Sequence, residues 1–254
     1  MTNMIPKKAA AISADLLKDI ARLKGLPVGV VVPQQPGSAL YPVSAALLKA
    51  QETALKNAEP GQEMPDGTIY LGKYSPTGLE GNSLGMEFNV VAAKEDLPEG
   101  PRTYVDTVQY MAELKNWNGF DGAGYKNDKE LYNALRKDAY NGQWIIPTFE
   151  ILRGKDEERK DTTFNSLFAY RNTEAFKGTF KIAARRNNDD DNDEPNLPDS
   201  YWSSTEPRDA PYGAFFVTFS DDHDWNDGWL YKDDRPGRAG RRLSCRPVRL
   251  VPCT

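Results

Sequence analysis

The chain has 254 residues, of which 39% are hydrophobic and 27% charged, and its formal net charge is −5. Proteins that bind nucleic acid usually carry a basic patch, so this charge argues against nucleic acid as the main partner. No run of about 18 apolar residues is present, which argues against a membrane-spanning helix, and the length suits one large domain with or without an accessory segment.

Residues 1–64 are predicted to form a helical extension. Apolar residues recur at helical spacing in two stretches, 12–23 and 43–55, which are followed by Gly25 and Pro60. Helices this short are marginally stable alone, so their apolar faces need a partner surface. Two interpretations stay open: the helices pack on the rest of the chain, or they form a docking or oligomerisation segment.

Residues 65–254 are predicted to form one α+β domain, which opens with a turn and a strand at Asp66–Tyr70. A first helix is predicted over 103–115, because Thr103 can cap it and Asp106 completes a pair resembling a capping box. A second helix is predicted over 128–140 and a short buried strand over 144–148. The residues expected to face the core are Val105, Val108, Met111 and Ala112 in the first helix and Leu131, Leu135 and Ala139 in the second.

The last part of the chain follows an acidic run at 187–194 and is predicted to be mostly strand. Short segments separated by turn residues lie at 201–204, 214–219, 229–231 and 243–248. Two helices followed by short antiparallel strands and long loops form an α+β pattern.

Five stretches carry a family resemblance: Asp66–Tyr70, Trp144–Thr148, Tyr201–Glu206, Phe219–Asp221 and Leu243–Arg249. In this order they resemble the Lcl C-terminal domain family, C-type-lectin-like modules of bacterial and phage surface proteins. That family shows W-R-x-P-T, Y-W-S-S-x-E and F-S-D/N-G elements and closes with x-R-C-V-R. Here Ile145 replaces the usual arginine of the first of these, Pro247 interrupts the last, and residues 1–64 fall outside the match.

The resemblance implies a C-type-lectin-like fold that recognises a protein or a sugar, often without metal. A subset of the family resembles the variable proteins of diversity-generating retroelements, in which C-terminal codons are randomised toward Asn, Asp, His, Tyr, Ser and Gly. The stretch 221–234 uses that vocabulary. It implies a phage tail receptor-binding protein or a diversified surface protein, and related phage binders imply a homotrimer that gains avidity. The apolar run after Lys8 stops at Asp15, too early for a secretion signal, which favours the virion over a secreted adhesin.

The candidate ligand-binding surface lies between residues 222 and 234, where aromatic rings stand among carboxylates. Aromatic rings give rigid contact area and flanking polar groups give direction, as in adaptable paratopes. If 229–231 is a strand, Trp229 and Tyr231 share one face while Leu230 points to the core. The alternative is that the tryptophans belong to the core and the acids are only solvated. The candidate residues are Asp222, His223, Asp224, Trp225, Asn226, Asp227, Trp229, Tyr231, Asp233 and Asp234.

The alternative to a metal-free recognition surface is a calcium-dependent sugar-binding site. In sugar-binding C-type lectins, tripeptides like those at 194–196 and 225–227 supply oxygen ligands to Ca²⁺. In those lectins the tripeptides lie closer together, without an element like 201–206 between them, so the favoured expectation is no cofactor. The ligands under this alternative are Glu194, Asn196, Asn226 and Asp227.

Catalysis is not expected. His223 is the only histidine, and no serine or cysteine stands in a nucleophile motif. Cys245 and Cys253 are too few for a disulfide framework or a zinc site, and whether they are bridged stays open. Arginines between 235 and 242 could bind anionic glycans, which would make the protein an adhesin for such glycans. The simpler interpretation is that these arginines form ion pairs with the neighbouring acidic residues.

Overall fold

Two β-sheets, with short helices and long loops between their strands, make up the architecture. A computed structural model describes residues 51, 53–76, 85–115, 117, 120–154, 166–180, 196–219, 227–233 and 241–253. The helices are α1 (Tyr104–Glu113), α2 (Asp128–Arg136), α3 (Phe149–Arg153) and α4 (Leu167–Tyr170). The strands are β1 (Ile69–Tyr74), β2 (Phe88–Ala92), β3 (Asn196–Trp202), β4 (Gly213–Thr218), β5 (Asp227–Tyr231), β6 (Arg242–Ser244) and β7 (Val248–Pro252). The α+β class is therefore confirmed.

The first and last strands lie in the same antiparallel sheet, ordered β1-β2-β7. β2 is the central strand, and all five of its residues are buried. β2 was not predicted from the sequence, because a strand that is buried on both faces lacks the alternation of apolar and polar residues that marks a strand.

The second sheet has the order β5-β4-β3-β6, so β5 lies at its edge among the strands that the structure describes. β3 and β6 run parallel, which corrects the expectation of antiparallel strands only. The single strand predicted over 243–248 is also wrong, since β6 and β7 belong to different sheets. Between them, the carbonyl oxygens of Cys245 and Pro247 accept hydrogen bonds from the backbone N–H groups of Leu97 and Ala93.

Helix α1 begins as predicted, with the Thr103 hydroxyl accepting a hydrogen bond from the Asp106 N–H. Its buried residues are Tyr104, Thr107 and Met111, so the predicted face was correct at Met111 and wrong at Val105, which is 48% exposed. The buried face of the helix differs from the predicted one because the Tyr104 ring packs edge-on against Trp202, with ring centroids 5.6 Å apart. Ala112, also predicted to be buried, is exposed.

Helix α2 buries Leu131 and Leu135 as predicted. It ends at Arg136, earlier than predicted, and Ala139 is exposed. All five residues of the predicted strand at 144–148 are buried, but in the described part of the chain the segment forms only isolated bridges, to Gly122 and Val248.

The stretches that carry the family resemblance supply much of the core. Trp144 and Trp202 share one hydrophobic cluster with Leu243 and Cys245. Arg246 and Arg249 are also buried. Arg246 donates through Nε to Asp96 Oδ1 at 2.7 Å, and Arg249 donates through Nη2 to Asp66 Oδ2 at 2.6 Å. The closing element therefore joins segments that are far apart in sequence.

Each buried arginine also stacks on aromatic rings. The Arg246 guanidinium carbon lies 4.0 Å from the centroid of the Phe180 ring, and that of Arg249 lies 3.4 Å from the Phe120 ring. A buried charge requires such partners, because leaving it unpaired is strongly destabilising. These residues stabilise the scaffold.

Residues 53–64 pack against the first sheet. Leu55 and Met64 form a small buried cluster with Tyr70 and Val91. Residues 1–50 lie outside the described residues, and with them the first predicted helix and most of the second. Within the described ranges, no helix is long and apolar enough to cross a membrane.

Candidate functional site

The edge strand β5 presents two of the predicted aromatic residues on one face of the second sheet. Phe215 pairs with Trp229 and Gly213 with Tyr231 across the β4–β5 ladder. Leu230 lies on the opposite face and packs, partly buried, against the core cluster that holds Trp202. The predicted strand and its two faces are confirmed, because side chains alternate between the faces of a strand.

Tyr212, which immediately precedes β4, joins Trp229 and Tyr231 in one cluster, which we call the aromatic face. The ring centroid of Tyr212 lies 5.9 Å from that of Trp229 and 5.5 Å from that of Tyr231, and the Trp229 and Tyr231 centroids are 5.7 Å apart. Tyr212 is 41% exposed and Trp229 is 40% exposed, while Tyr231 is half-buried. Tyr212 was not predicted from the sequence, where its only local signal is an aromatic residue beside Gly213, the glycine that opens β4.

Gly213 allows the Trp229 indole to lie close to the backbone of β4. A Cβ atom at Gly213 would stand 2.6 Å from Cε3 of Trp229 and 3.2 Å from its Cζ3. The first distance is far below the roughly 3.5–4 Å of an ordinary carbon contact. The indole therefore depends on the absence of a side chain at position 213.

The aromatic face is a platform without an internal slot. The Tyr212 and Tyr231 rings are nearly parallel, at 18°, with their centroids 5.5 Å apart. A group held between two ring faces needs them about 7 Å apart, twice the contact distance of roughly 3.5 Å. A ligand cation cannot insert between these rings, so contact is limited to the outer faces and edges of the cluster.

An ion pair between Lys232 and Glu206 adjoins the aromatic face. The Lys232 side chain is 14% exposed and that of Glu206 is 23% exposed. The Lys232 ammonium also donates to the Pro211 carbonyl oxygen at 3.0 Å and lies 5.3 Å from the centroid of the Tyr104 ring. This pair links the end of β5 to the loop that leads from β3 to β4.

The same loop is tied to helix α2 through Asp128. The hydroxyl groups of Ser204 and Thr205 donate to the two carboxylate oxygens of Asp128, and its backbone N–H donates to the Ser204 carbonyl oxygen at 3.2 Å. Burial raises the pKa of the Asp128 carboxyl, while the two hydroxyl groups oppose that shift. Residues 204–206 thus link α2, which they reach at Asp128, to the end of β5, which they reach at Lys232.

The remaining predicted site residues are only partly described. Asp227 begins β5, and Asp233 is exposed just after that strand. Six further candidates lie outside the described residues: Asp222, His223, Asp224, Trp225, Asn226 and Asp234. The proposed surface is therefore described at its Trp229, Tyr231 and Asp233 positions.

For the calcium alternative, Glu194 and Asn226 lie outside the described residues. Asn196 begins β3 and Asp227 begins β5, and β4 runs between these two strands. Among the described residues, no group of three or more His, Cys, Asp or Glu side chains is arranged to hold a metal ion. Cys245 is buried, Cys253 is half-buried, and both are free thiols.

Comparison with known proteins yields no relative: no family model, no curated protein and no solved structure matches this chain.

Proposed function

We propose that this chain is a non-enzymatic recognition protein that binds a cell-surface protein or glycan through the aromatic face. One observation supports this most. Within the part of the chain that the structure describes, the two exposed aromatic side chains, Tyr212 and Trp229, contact each other. Exposed apolar clusters are typical of interaction sites, and aromatic residues contribute much of the binding energy in such sites.

The domain that carries the face, residues 65–254, is proposed to be C-type-lectin-like. Support comes from the family resemblance, together with a sheet that joins the first and last strands and a second sheet formed mainly by the C-terminal part of the chain. The proposed role of the core is to hold an edge strand rigidly, so that its aromatic rings bind without being ordered first.

The proposed setting is the tail of a phage virion, or a cell surface in the case of a retroelement-diversified protein. Support for diversification is that eight of the thirteen residues at 222–234 are Asp, Asn, His or Tyr. Residues 1–64 are proposed to assemble the chain into a homotrimer and to attach it to other virion proteins, so that weak single sites act together. A reverse-transcriptase gene and a template copy of the 3′ end beside this gene would support the retroelement setting, and their absence would remove it.

Binding of the fluorescently labelled full chain to a panel of bacterial strains tests the function. We expect Trp229→Ala to reduce attachment at least tenfold, because aromatic anchors at interface centres contribute about 2 kcal/mol or more. Met86→Ala is the matched control, since Met86 is another exposed apolar side chain, at 39%, and lies beside the first sheet. Equal attachment by wild type and Trp229→Ala, with both folded by circular dichroism, would contradict the proposal.

The same assay separates the proposal from calcium-dependent sugar binding. Attachment that persists in EDTA eliminates a required metal ion, because a lectin-type Ca²⁺ contributes ligand contacts directly. Attachment that is lost in EDTA and restored by added Ca²⁺ would favour the calcium alternative over the metal-free aromatic face.

A further inference from the structure

Lys232 is the point at which three segments of the fold meet. Its backbone N–H donates to the Tyr212 carbonyl oxygen at 3.1 Å, and its carbonyl oxygen accepts from the Val105 N–H at 3.2 Å. Its ammonium binds Glu206 and Pro211 in the β3–β4 loop. Lys232 thus connects β5, the N-terminus of α1 and the loop that carries Tyr212.

The contacts of Lys232 are directed into the protein. A lysine ammonium has three N–H donors. Glu206 Oε1 and the Pro211 carbonyl oxygen accept two of them, and the face of the Tyr104 ring lies next to the same group, 5.3 Å away. The Lys232 side chain is only 14% exposed, so its ammonium interacts mainly with groups of the protein and little with solvent.

The loop held by Lys232 determines where one ring of the aromatic face lies. Pro211 directly precedes Tyr212, and the Tyr212 ring stacks on that of Tyr231, which directly precedes Lys232. The ion pair therefore fastens the loop on the side of Glu206, while the Lys232 N–H and the pairing of Gly213 with Tyr231 hold the backbone on the other side of Tyr212. If the pair is lost, those backbone contacts keep the strands together, but the loop is held less firmly and the Tyr212 ring can shift against that of Tyr231.

We infer that Lys232 and Glu206 form a positioning pair, which holds the β3–β4 loop against the end of β5 and thereby orients the aromatic face without contacting the ligand. This inference rests on the proposed function for its effect on binding. The expected effect of the ion pair on the positions of the aromatic rings does not depend on whether a ligand is found. The pair joins residues 26 apart in sequence, and neither belongs to the surface predicted from the sequence.

Three variants of the full chain test the inference: Lys232→Met, Glu206→Gln and the double variant. Lys232→Met keeps the apolar stem but leaves the Glu206 carboxylate without its partner, which destabilises a partly buried group. The double variant removes both charges, so we expect it to unfold at a higher urea concentration than Lys232→Met. If the pair only stabilised the fold, the double variant would recover attachment together with its stability.

A change in the surroundings of the Trp229 ring is detected by ¹⁹F NMR on protein labelled with 5-fluorotryptophan. The chain has five tryptophans, and the Trp229 signal is identified by its loss in Trp229→Phe. We expect the Trp229 signal to shift or broaden in all three variants. The signal of the fully buried Trp144 is the internal control and should stay in place.

We expect attachment to the bacterial panel to fall at least fivefold in Lys232→Met and to remain low in the double variant. An unchanged Trp229 signal in every variant would overturn the positioning role, and so would wild-type attachment by the double variant if Trp229→Ala has lost attachment. If the signal shifts as expected while the wild type and Trp229→Ala attach equally, the positioning role stands and the proposed function fails.

Discussion

Replacing Gly213 by alanine should disable the aromatic face while leaving the fold intact. The added Cβ would lie 2.6 Å from Cε3 of Trp229, so the indole must move by about 1 Å to reach an ordinary contact distance of roughly 3.6 Å. Trp229 is 40% exposed and has room to move outward. The new Cβ also stands 3.3 Å from the Ala210 carbonyl oxygen, a tight contact that a small backbone shift relieves.

The expected change in the free energy of unfolding is small, within about 1 kcal/mol, because the strain falls on a half-exposed ring and alanine restricts the unfolded chain. The expected loss of attachment is at least tenfold, since about 2 kcal/mol from a displaced aromatic anchor corresponds to roughly 30-fold in Kd. Urea denaturation measures the first quantity and binding of the labelled chain to the bacterial panel measures the second.

Gly228→Ala is the matched control. It adds the same methyl group to the neighbouring strand, where the nearest atom is Cε1 of Phe216 at an ordinary 3.4 Å. Both its stability and its attachment should resemble those of the wild type. If Gly213→Ala attaches within twofold of the wild type, the position of the Trp229 indole is irrelevant to binding and the prediction is wrong.

Two predictions concern the scaffold. Gly122→Ala should destabilise the protein by about 3 kcal/mol in urea denaturation, because its Cβ would lie 2.1 Å from the Met111 carbonyl oxygen, an atom of the backbone that cannot swing away; a loss below about 1 kcal/mol would contradict this packing. For Asp128→Asn, the pH dependence of stability is informative, because burial raises the pKa of Asp128 in the folded protein and a raised pKa favours the folded state at low pH. The wild type should therefore gain stability relative to Asp128→Asn as the pH falls from 7 to 4, and parallel stability curves over that range would show that the carboxyl group is not buried.

Much of the local structure was predictable from the sequence because it depends on neighbours along the chain. Thr103 caps α1 through a hydrogen bond to a residue three positions later, and a threonine before an amphipathic run is enough to predict it. Strand alternation likewise placed Trp229 and Leu230 on opposite faces of β5. Periodicity was less reliable for α1, where Val105 is exposed, because the rotation of a helix depends on what packs against it.

The candidate site could be predicted only in part. Trp229 and Tyr231 were identified because they are aromatic residues in an acidic stretch, which is a property of composition. Tyr212 and Glu206 were missed as parts of this region because they reach it from the β3–β4 loop, and nothing in the residues around them indicates that they approach β5.

By itself, the sequence determined the α+β class, the cap of α1 and the two faces of β5, all of which follow from hydrogen bonds and side-chain periodicity over a few residues. Only the tertiary structure decided that Arg246 and Arg249 are buried, that β6 runs parallel to β3, and that Lys232 holds the loop beside the aromatic face. Those features bring together residues that are remote along the chain. Their contacts form only when the whole core has packed, so no local pattern encodes them.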